Sequence, residues 1–265
     1  MKENKVIDIT IDFETVGLSP QSAILELAAV AWQRATEPHL DPNADFKPID
    51  TFDSKVDLRS CVAAGMKFDQ DTIDWWSRQK QSAKDHVLDG DCYPVRDVLD
   101  GFLDWLEGLY CQEGSPEPGF RICLWSQGSD FDISILRSLA ATFGMTERLA
   151  KLVSYVNFRD ARTFILEVGN FSYNDKLFGC PIEHPSDVYK VLPSFNDDYY
   201  EVHTAIRDAL QTSWNVWHIM RNLDLRRMVS GEQMDVQRRQ NAVLQQQYDE
   251  LKAAYDMMQN NKDQD

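Results

Sequence analysis

Two acidic residues spaced i and i+2 end the first apolar segment of the chain. Asp12 and Glu14 lie at the carboxyl end of Val6 to Thr15, which reads VIDITIDFET. Because side chains alternate across a strand, the two carboxylates point to one side while Phe13 points into the core. Carboxylates held this close repel each other unless a cation neutralises them, and hard oxygen donors suit Mg²⁺ or Mn²⁺. The pair alone could also begin a turn, so a metal site requires ligands from distant parts of the chain.

Two later segments offer such ligands. The first, LWSQGSDFDISIL, reads as an apolar strand, a turn and a helix. Its Asp132 lies in the predicted first turn, where the helix dipole favours a carboxylate, and Asp130 is a candidate helix cap. The second segment, HTAIRDAL, begins another helix. Its His203 and Asp208 can share one cleft only if His203 precedes or begins the first turn, because this separation places helical residues on different faces.

The order of these blocks resembles the DEDDh group of 3′-to-5′ exonucleases, which includes RNase T. The shared blocks are DFET, FD in a strand-to-helix turn, and HxxxxD. Six segments also resemble, in order, exonuclease A of tailed phages and its bacterial relatives, over about residues 5 to 222: IDFETVG, TIDWWSRQ, WSQG, FDISIL, RDART and HTAIRDA. The resemblance implies a ribonuclease-H-like fold and hydrolysis of phosphodiester bonds at 3′ ends.

The resemblance also implies roles for individual residues. It assigns two divalent ions, Mg²⁺ or Mn²⁺, to Asp12, Glu14, Asp132 and Asp208, and makes His203 the general base for the attacking water. The predicted product is a 5′-mononucleotide released from a single-stranded 3′ end, of DNA or of RNA. The alternative is a catalytically silent module that binds nucleic acid or a partner on the same fold, which the intact set of residues disfavours.

Further residues are candidates for contact with substrate. Trp75 and Trp76 are adjacent in a short predicted helix, so one packs inward and the other can stack on a base, and the sequence does not decide between them. Leu18 occupies the position where the resembled family wedges an apolar side chain beside the terminal base. Arg159 or Arg162 could hold a phosphate. The candidates named for substrate binding are Thr15, Gly17, Leu18, Trp76, Arg159 and Arg162.

The elements that must position these residues alternate in type. Strands are predicted at residues 6–15, 23–32, 46–56 and 121–125, and helices at 94–109, near Asp132 and near His203. Together with the resemblance, this pattern predicts an α/β fold with a ribonuclease-H-like mixed sheet flanked by helices and a C-terminal helical tail.

The tail is predicted to be separate from the catalytic part. We predict an exonuclease domain at residues 1–230 and a helical tail at 231–265, where apolar residues recur at heptad spacing. This apolar seam could pack on its own domain or pair two copies as a homodimer.

Glu26 is an unusual residue inside the second predicted strand, which reads ILELAAVAW. A buried acidic side chain needs hydrogen-bond partners. Glu26 could add to the metal site or be a structural, hydrogen-bonded glutamate, and we favour the second interpretation.

Composition sets limits on location and partners. The 265 residues are 43% hydrophobic, carry a net charge of −16 and include five cysteines without a C-x-x-C pair. No apolar run reaches transmembrane length, so we expect a cytoplasmic chain with no membrane association. Neither a zinc site nor a disulfide framework is predicted. The acidic charge opposes a long electrostatic grip on nucleic acid, so we expect local binding of a 3′ end.

Overall fold

A mixed sheet of six strands is the centre of the fold. The structure, a computed structural model, describes residues 5–34, 46–112, 115–169 and 204–221. Its strands are β1 (Lys5–Thr15), β2 (Ile24–Trp32), β3 (Pro48–Val56), β4 (Cys92–Tyr93), β5 (Cys111–Gln112), β6 (Ser115–Pro116), β7 (Phe120–Ser126) and β8 (Phe158–Asp160). The strands β5 and β6 form a separate two-stranded antiparallel sheet.

Helices connect and cover the sheet. They are α1 (Leu58–Ala63), α2 (Gln70–Ser77), α3 (Gln81–Leu88), α4 (Val95–Tyr110), α5 (Ser134–Thr142), α6 (Thr146–Leu152), α7 (Ala161–Phe164) and α8 (205–221). Turns of π-helix occupy Ser129–Ile133 and Ile165–Gly169, and a 3₁₀ turn occupies Tyr155–Asn157.

The strand order confirms the predicted ribonuclease-H-like mixed sheet. The order is β4-β3-β2-β1-β7-β8, in which β1, β2 and β3 pair antiparallel while β7 and β8 run parallel to β1. Parallel strands bring their carboxyl ends to one edge of a sheet. The ends of β1, β7 and β8 therefore lie side by side, and each is followed by residues of the predicted site.

The two faces of the sheet bury different helices. In β1, Ile9, Ile11 and Phe13 pack in the cluster that includes the apolar face of α4. In β2, Ala28 and Val30 belong to the second cluster, which includes the apolar residues of α8. Burial on both faces explains why β2 reads as a continuous apolar run in the sequence. By strand alternation, Asp12, Glu14 and Glu26 lie on the face that α8 covers.

The predicted tail lies beyond the described residues. The helical tail, the domain boundary at residue 230 and a homodimer through the tail therefore stay predictions. Within the ranges that the structure describes, none of the helices combines the length and the apolar character needed to cross a bilayer.

Candidate active site

Three of the predicted metal ligands meet at the end of β1. Carboxylate oxygens of Asp12, Glu14 and Asp208 lie within 4.8 Å of one another. Asp12 and Glu14 come from the strand, whereas Asp208 comes from the first turn of α8, where its N–H donates to Thr204 O at 3.1 Å. The packing of α8 on the sheet therefore brings together residues that are far apart in sequence.

The fourth predicted ligand, Asp132, is fixed directly to β1. Its Oδ1 accepts a hydrogen bond from the backbone N–H of Phe13 at 3.2 Å, and only 3% of Asp132 is exposed. Phe13 lies between Asp12 and Glu14, so this bond places the Asp132 carboxylate beside the other acidic groups.

The local structure around Asp132 differs from the prediction of an α-helical first turn. The residue lies in the π-helical turn Ser129–Ile133, and the α-helix begins only at Ser134. Asp160 holds this turn, because its Oδ2 accepts the N–H of Ser129 at 2.6 Å. Turns of this kind are frequent at functional sites. Asp130 is exposed and provides no side-chain cap to the turn.

The crowded carboxylates hold protons more tightly than isolated ones. Burial, followed by the charges of Asp132, Asp208 and Glu14, raises the pKa of Asp12 well above its usual value. Burial and the charge of Asp208 raise the pKa of Glu14 to about 8. Burial raises the pKa of Asp132 to about 7, although the bond from Phe13 and the nearby Arg162 act in the opposite direction. Such a set of oxygen donors fits a divalent cation, which would replace the protons.

These raised pKa values predict that the metal-free protein loses stability as the pH rises. An unfolded carboxyl group releases its proton near pH 4, whereas the folded cluster holds protons up to about pH 8. The folded state therefore binds more protons between about pH 4 and 8, and its free energy of unfolding falls across this window. With EDTA present, we expect the melting temperature to fall by about 5 °C or more from pH 5 to pH 8.5.

Two controls separate this effect from the general acidity of the chain. Saturating Mn²⁺ should remove most of the decrease at pH 8.5, and Asp208→Asn should reduce the decrease in EDTA because it removes one repelling charge. A melting temperature in EDTA that rises with pH, or that falls equally in Asp208→Asn, would contradict the arrangement of the cluster.

Two acidic residues outside the predicted set hold parts of the site in place. Asp160 fixes the Asp132 turn and also caps α7 through the N–H of Thr163 at 2.7 Å. Glu26 is fully buried and accepts the N–H of Ala205, the first residue of α8, at 2.9 Å. The sequence favoured a structural, hydrogen-bonded Glu26, but its partner is 179 residues away and no local pattern identifies it.

Glu26 also belongs to a second group of possible ligands. Ligand atoms of Glu26, Asp53 and His86 lie within 4.8 Å of one another. His86 Nε2 and Glu26 Oε1 are 2.8 Å apart, and Asp53 also hydrogen-bonds the Glu26 carboxylate. Burial would raise the pKa of Glu26, but hydrogen bonds from His86 and Ala205 hold it below its usual value. These direct hydrogen bonds therefore explain why the side chains of Glu26, Asp53 and His86 lie so close together.

The structure does not support Trp76 as a surface on which bases stack. Trp76 is 8% exposed, and its indole N–H donates to the carbonyl of Thr15 at 2.8 Å. The neighbouring Trp75 is 38% exposed, and the two rings contact edge to face with centroids 5.2 Å apart. Adjacent residues of α2 point in different directions, and Trp75 is the one that points outward.

The turn after β1 presents Leu18 to the surface. Thr15 is buried, and its hydroxyl donates to the carbonyl of Gly17 at 2.8 Å. A Cβ atom at Gly17 would lie 2.6 Å from Ser22 Oγ and 3.2 Å from Asp69 Cβ, so any larger residue would have to displace these side chains. Leu18 follows with 73% of its surface exposed. Thr15 and Gly17 therefore shape the turn, and Leu18 is its accessible apolar side chain.

The two candidate arginines have different surroundings. Arg159 donates through Nη1 to the carbonyls of Val156 and Phe158, at 2.5 and 3.0 Å, so it is engaged with its own loop. Arg162 is exposed, and its guanidinium lies against Gly128, where a Cβ would meet it at 3.4 Å. Its charge also acts on Asp132. Arg162 therefore provides a positive charge beside the acidic cluster. His203 lies outside the described residues.

Comparison with known proteins identifies the family. The mixed sheet and the carboxylate cluster define an α/β chain with a candidate metal centre. Residues 7–259 match the family described as the 3′-5′ exoribonuclease Rv2179c-like domain. The chain belongs to this family. The match confirms the predicted relationship to 3′-to-5′ exonucleases.

Individual relatives cover the chain less completely. An exodeoxyribonuclease of Enterobacteria phage T4 is 28% identical over 144 residues, which are 51% of this chain and 56% of the phage enzyme. The nuclease domain of 3′hExo, a DEDDh family member bound to rAMP, is 17% identical with a TM-score of 0.46 over 83% of this chain and 92% of that domain. The zinc-bound E. coli ExoI–ssDNA complex is 11% identical, with a TM-score of 0.48 over 84% of this chain and 41% of ExoI.

Two of these proteins are matched over only part of their length. The chain spans little more than half the length of the phage enzyme and less than half of ExoI.

Proposed function

We propose that this protein is a metal-dependent 3′-to-5′ exonuclease that releases 5′-mononucleotides from single-stranded ends. The observation that carries the proposal is the meeting of Asp12, Glu14 and Asp208 within 4.8 Å, with Asp132 bonded to the strand between the first two. Membership of a 3′-5′ exoribonuclease family supports the direction of cleavage. The raised pKa values of Asp12, Glu14 and Asp132 support a need for bound cations.

In the proposed hydrolysis, some residues would bind the metal ions and another would accept a proton. Two Mg²⁺ or Mn²⁺ ions, when bound, would supply an activated water and stabilise the leaving 3′ oxygen. Asp12, Glu14, Asp132 and Asp208 would hold them, and His203 would accept the proton of the attacking water. Each acidic residue is held by a rigid element or by a backbone bond, which suits a site that must be preorganised.

The surroundings of the cluster support binding of a single 3′ end. Two apolar side chains are exposed here, Leu18 in the turn after β1 and Trp75 on α2. The two elements are joined by a backbone hydrogen bond, because Asp69, the N-cap of α2, donates its N–H to Val16 O at 2.8 Å. Aromatic and apolar surfaces bind unpaired bases with little sequence preference. We propose that Trp75, rather than Trp76, contacts a base. The net charge of −16 opposes binding along a long duplex.

Matched substrates test the activity, the direction and the sugar preference together. DNA and RNA oligonucleotides of the same sequence, labelled at the 5′ end, would be incubated with Mn²⁺, Mg²⁺ or EDTA. We expect a ladder that shortens by single nucleotides in the presence of metal, no cleavage in EDTA, and inhibition by a 3′-terminal phosphate. The family description names an exoribonuclease and the phage relative is an exodeoxyribonuclease, so both sugars need testing.

Other outcomes would identify a different function. Cleavage of circular single strands at the rate of linear ones would show an endonuclease. Retention of oligonucleotides without hydrolysis in any metal would favour the silent binding module.

Arg162 provides a specific prediction about substrate binding. If its guanidinium holds a phosphate, Arg162→Ala should weaken oligonucleotide binding by about 1 to 2 kcal/mol, which raises KM about 5- to 30-fold. The increase should shrink at high salt, because exposed charges are screened. Steady-state kinetics at two salt concentrations would measure both effects.

Arg121→Ala is the matched control for this measurement. Arg121 is also exposed but lies near the start of β7, whereas the candidate site lies past the end of that strand. Its KM should stay near that of the wild type. An unchanged KM for Arg162→Ala, or equal increases in both variants, would remove Arg162 from the binding site.

A further inference from the structure

We propose that Glu26 is a positioning residue that anchors the first turn of α8 and thereby places Asp208 at the metal site. The inference rests on the proposed function, because it takes Asp208 as a metal ligand. It concerns a residue that lies on β2, and it follows from two hydrogen-bond contacts and from the pairing of β2 with β1.

The first contact fixes the start of α8. The first N–H groups of a helix have no partner within the helix and must be satisfied by another group when they are buried. Thr204 and Ala205 are both fully buried, so water does not reach this helix end. Glu26 Oε2 accepts the Ala205 N–H at 2.9 Å, and the positive end of the helix dipole favours the negative carboxylate there.

The second contact fixes Glu26 itself. His86, on α3, lies with Nε2 2.8 Å from Glu26 Oε1. The carboxylate therefore joins α3 to α8 through its two oxygens. Glu26 is fully buried near the start of β2, where it is paired with β1 on one side and β3 on the other, so its backbone position is set by the sheet.

The third relation connects this anchor to the candidate ligands. Glu26 pairs with Glu14 in the register of β1 and β2, so the anchor is one strand away from the cluster. Asp208 closes the first turn of α8 through its bond to Thr204 O at 3.1 Å. A shift or a rotation of that turn would move the Asp208 carboxylate with it. Glu26 thus sets the distance between the ligand on α8 and the two ligands on β1.

Glu26→Ala tests the anchor with measurements that do not depend on hydrolysis. Removing a residue that orients a metal ligand typically lowers metal affinity or activity about 10- to 100-fold. We expect Mn²⁺ affinity, measured by titration, and kcat to fall within this range, while KM for the oligonucleotide changes little. Hydrogen exchange should accelerate at the amides of residues 205–208 more than in the rest of the sheet.

Glu26→Gln and His86→Ala keep the test decisive if Glu26→Ala does not fold. The amide oxygen of Gln can still accept the Ala205 N–H, so exchange protection and Mn²⁺ affinity should return to within about threefold of the wild type. His86→Ala removes one side-chain partner of Glu26 and leaves the hydrogen bond with Asp53, so we expect a smaller loss of Mn²⁺ affinity in the same direction.

Asp8→Asn is the matched structural control. Asp8 is another fully buried carboxylate of the sheet, paired with Arg34 at 2.6 Å and with the indole N–H of Trp125 at 2.7 Å. This variant should lower the melting temperature without changing Mn²⁺ affinity or exchange at residues 205–208. Equal losses of Mn²⁺ affinity in Asp8→Asn and Glu26→Ala would reduce Glu26 to a general stability residue and overturn the inference.

The inference and the proposed function fail in different ways. A wild-type protein that binds no Mn²⁺ and cleaves nothing would overturn the proposed function. Unchanged exchange at residues 205–208 in a folded Glu26→Ala protein would overturn the anchor, whatever the activity of the wild type.

Discussion

Asp12→Ala and Asp208→Asn should each abolish hydrolysis while the protein stays folded. Both residues contribute oxygens to the cluster within 4.8 Å, so either change removes a ligand from the candidate metal centre. Metal stabilisation of the reacting oxygens is worth several kcal/mol, which corresponds to a loss of about 10³-fold or more in rate. The same changes remove a repelling charge, so the melting temperature in EDTA at high pH should increase slightly.

The measurement combines oligonucleotide cleavage with thermal denaturation of the same samples. Asp130→Asn is a suitable control because Asp130 is exposed on the turn that carries Asp132, and the change removes the same charge close to the site. It should retain most of the activity. Full cleavage by Asp12→Ala or Asp208→Asn in excess Mn²⁺ would refute the assignment of the cluster.

His203→Ala should slow hydrolysis about 100-fold or more without removing the metals. The assignment of His203 comes from its position before Asp208 in the sequence and from the resembled family. A positioned general base typically contributes about 10²- to 10⁴-fold to a rate. If His203 is the general base, its loss should also change the pH dependence of kcat.

Titration with Mn²⁺ separates the two roles that a histidine could have here. As a general base, His203 can be removed with little change in metal affinity. A large loss of Mn²⁺ affinity in His203→Ala would make His203 a metal ligand instead.

The acidic net charge of the chain predicts how substrate binding should depend on salt. Under the proposed function, a protein with a net charge of −16 would bind its substrate through local cations, and Arg162 is close enough for its charge to act on Asp132. Binding through one or a few phosphates should depend weakly on salt, because the slope of affinity against salt follows the number of phosphates that are neutralised.

Local sequence patterns determined the parts of this protein that follow strand and helix periodicity. Alternation along β1 places Asp12 and Glu14 on one side and Phe13 on the other, and the structure agrees. The apolar spacing of residues 94–109 predicted α4, which spans Val95–Tyr110. These features depend on neighbours within one turn or one strand, and the sequence shows such neighbours directly.

Only the tertiary structure decided which distant groups support the site. The bond from Phe13 to Asp132 spans 119 positions, and the bond from Ala205 to Glu26 spans 179. Trp76 and Trp75 are both aromatic in the sequence, but the carbonyl of Thr15 takes the indole N–H of Trp76 and leaves Trp75 outside. Each of these choices depends on how the sheet and the helices pack, and on the need of every buried polar group for a partner, which no local pattern specifies.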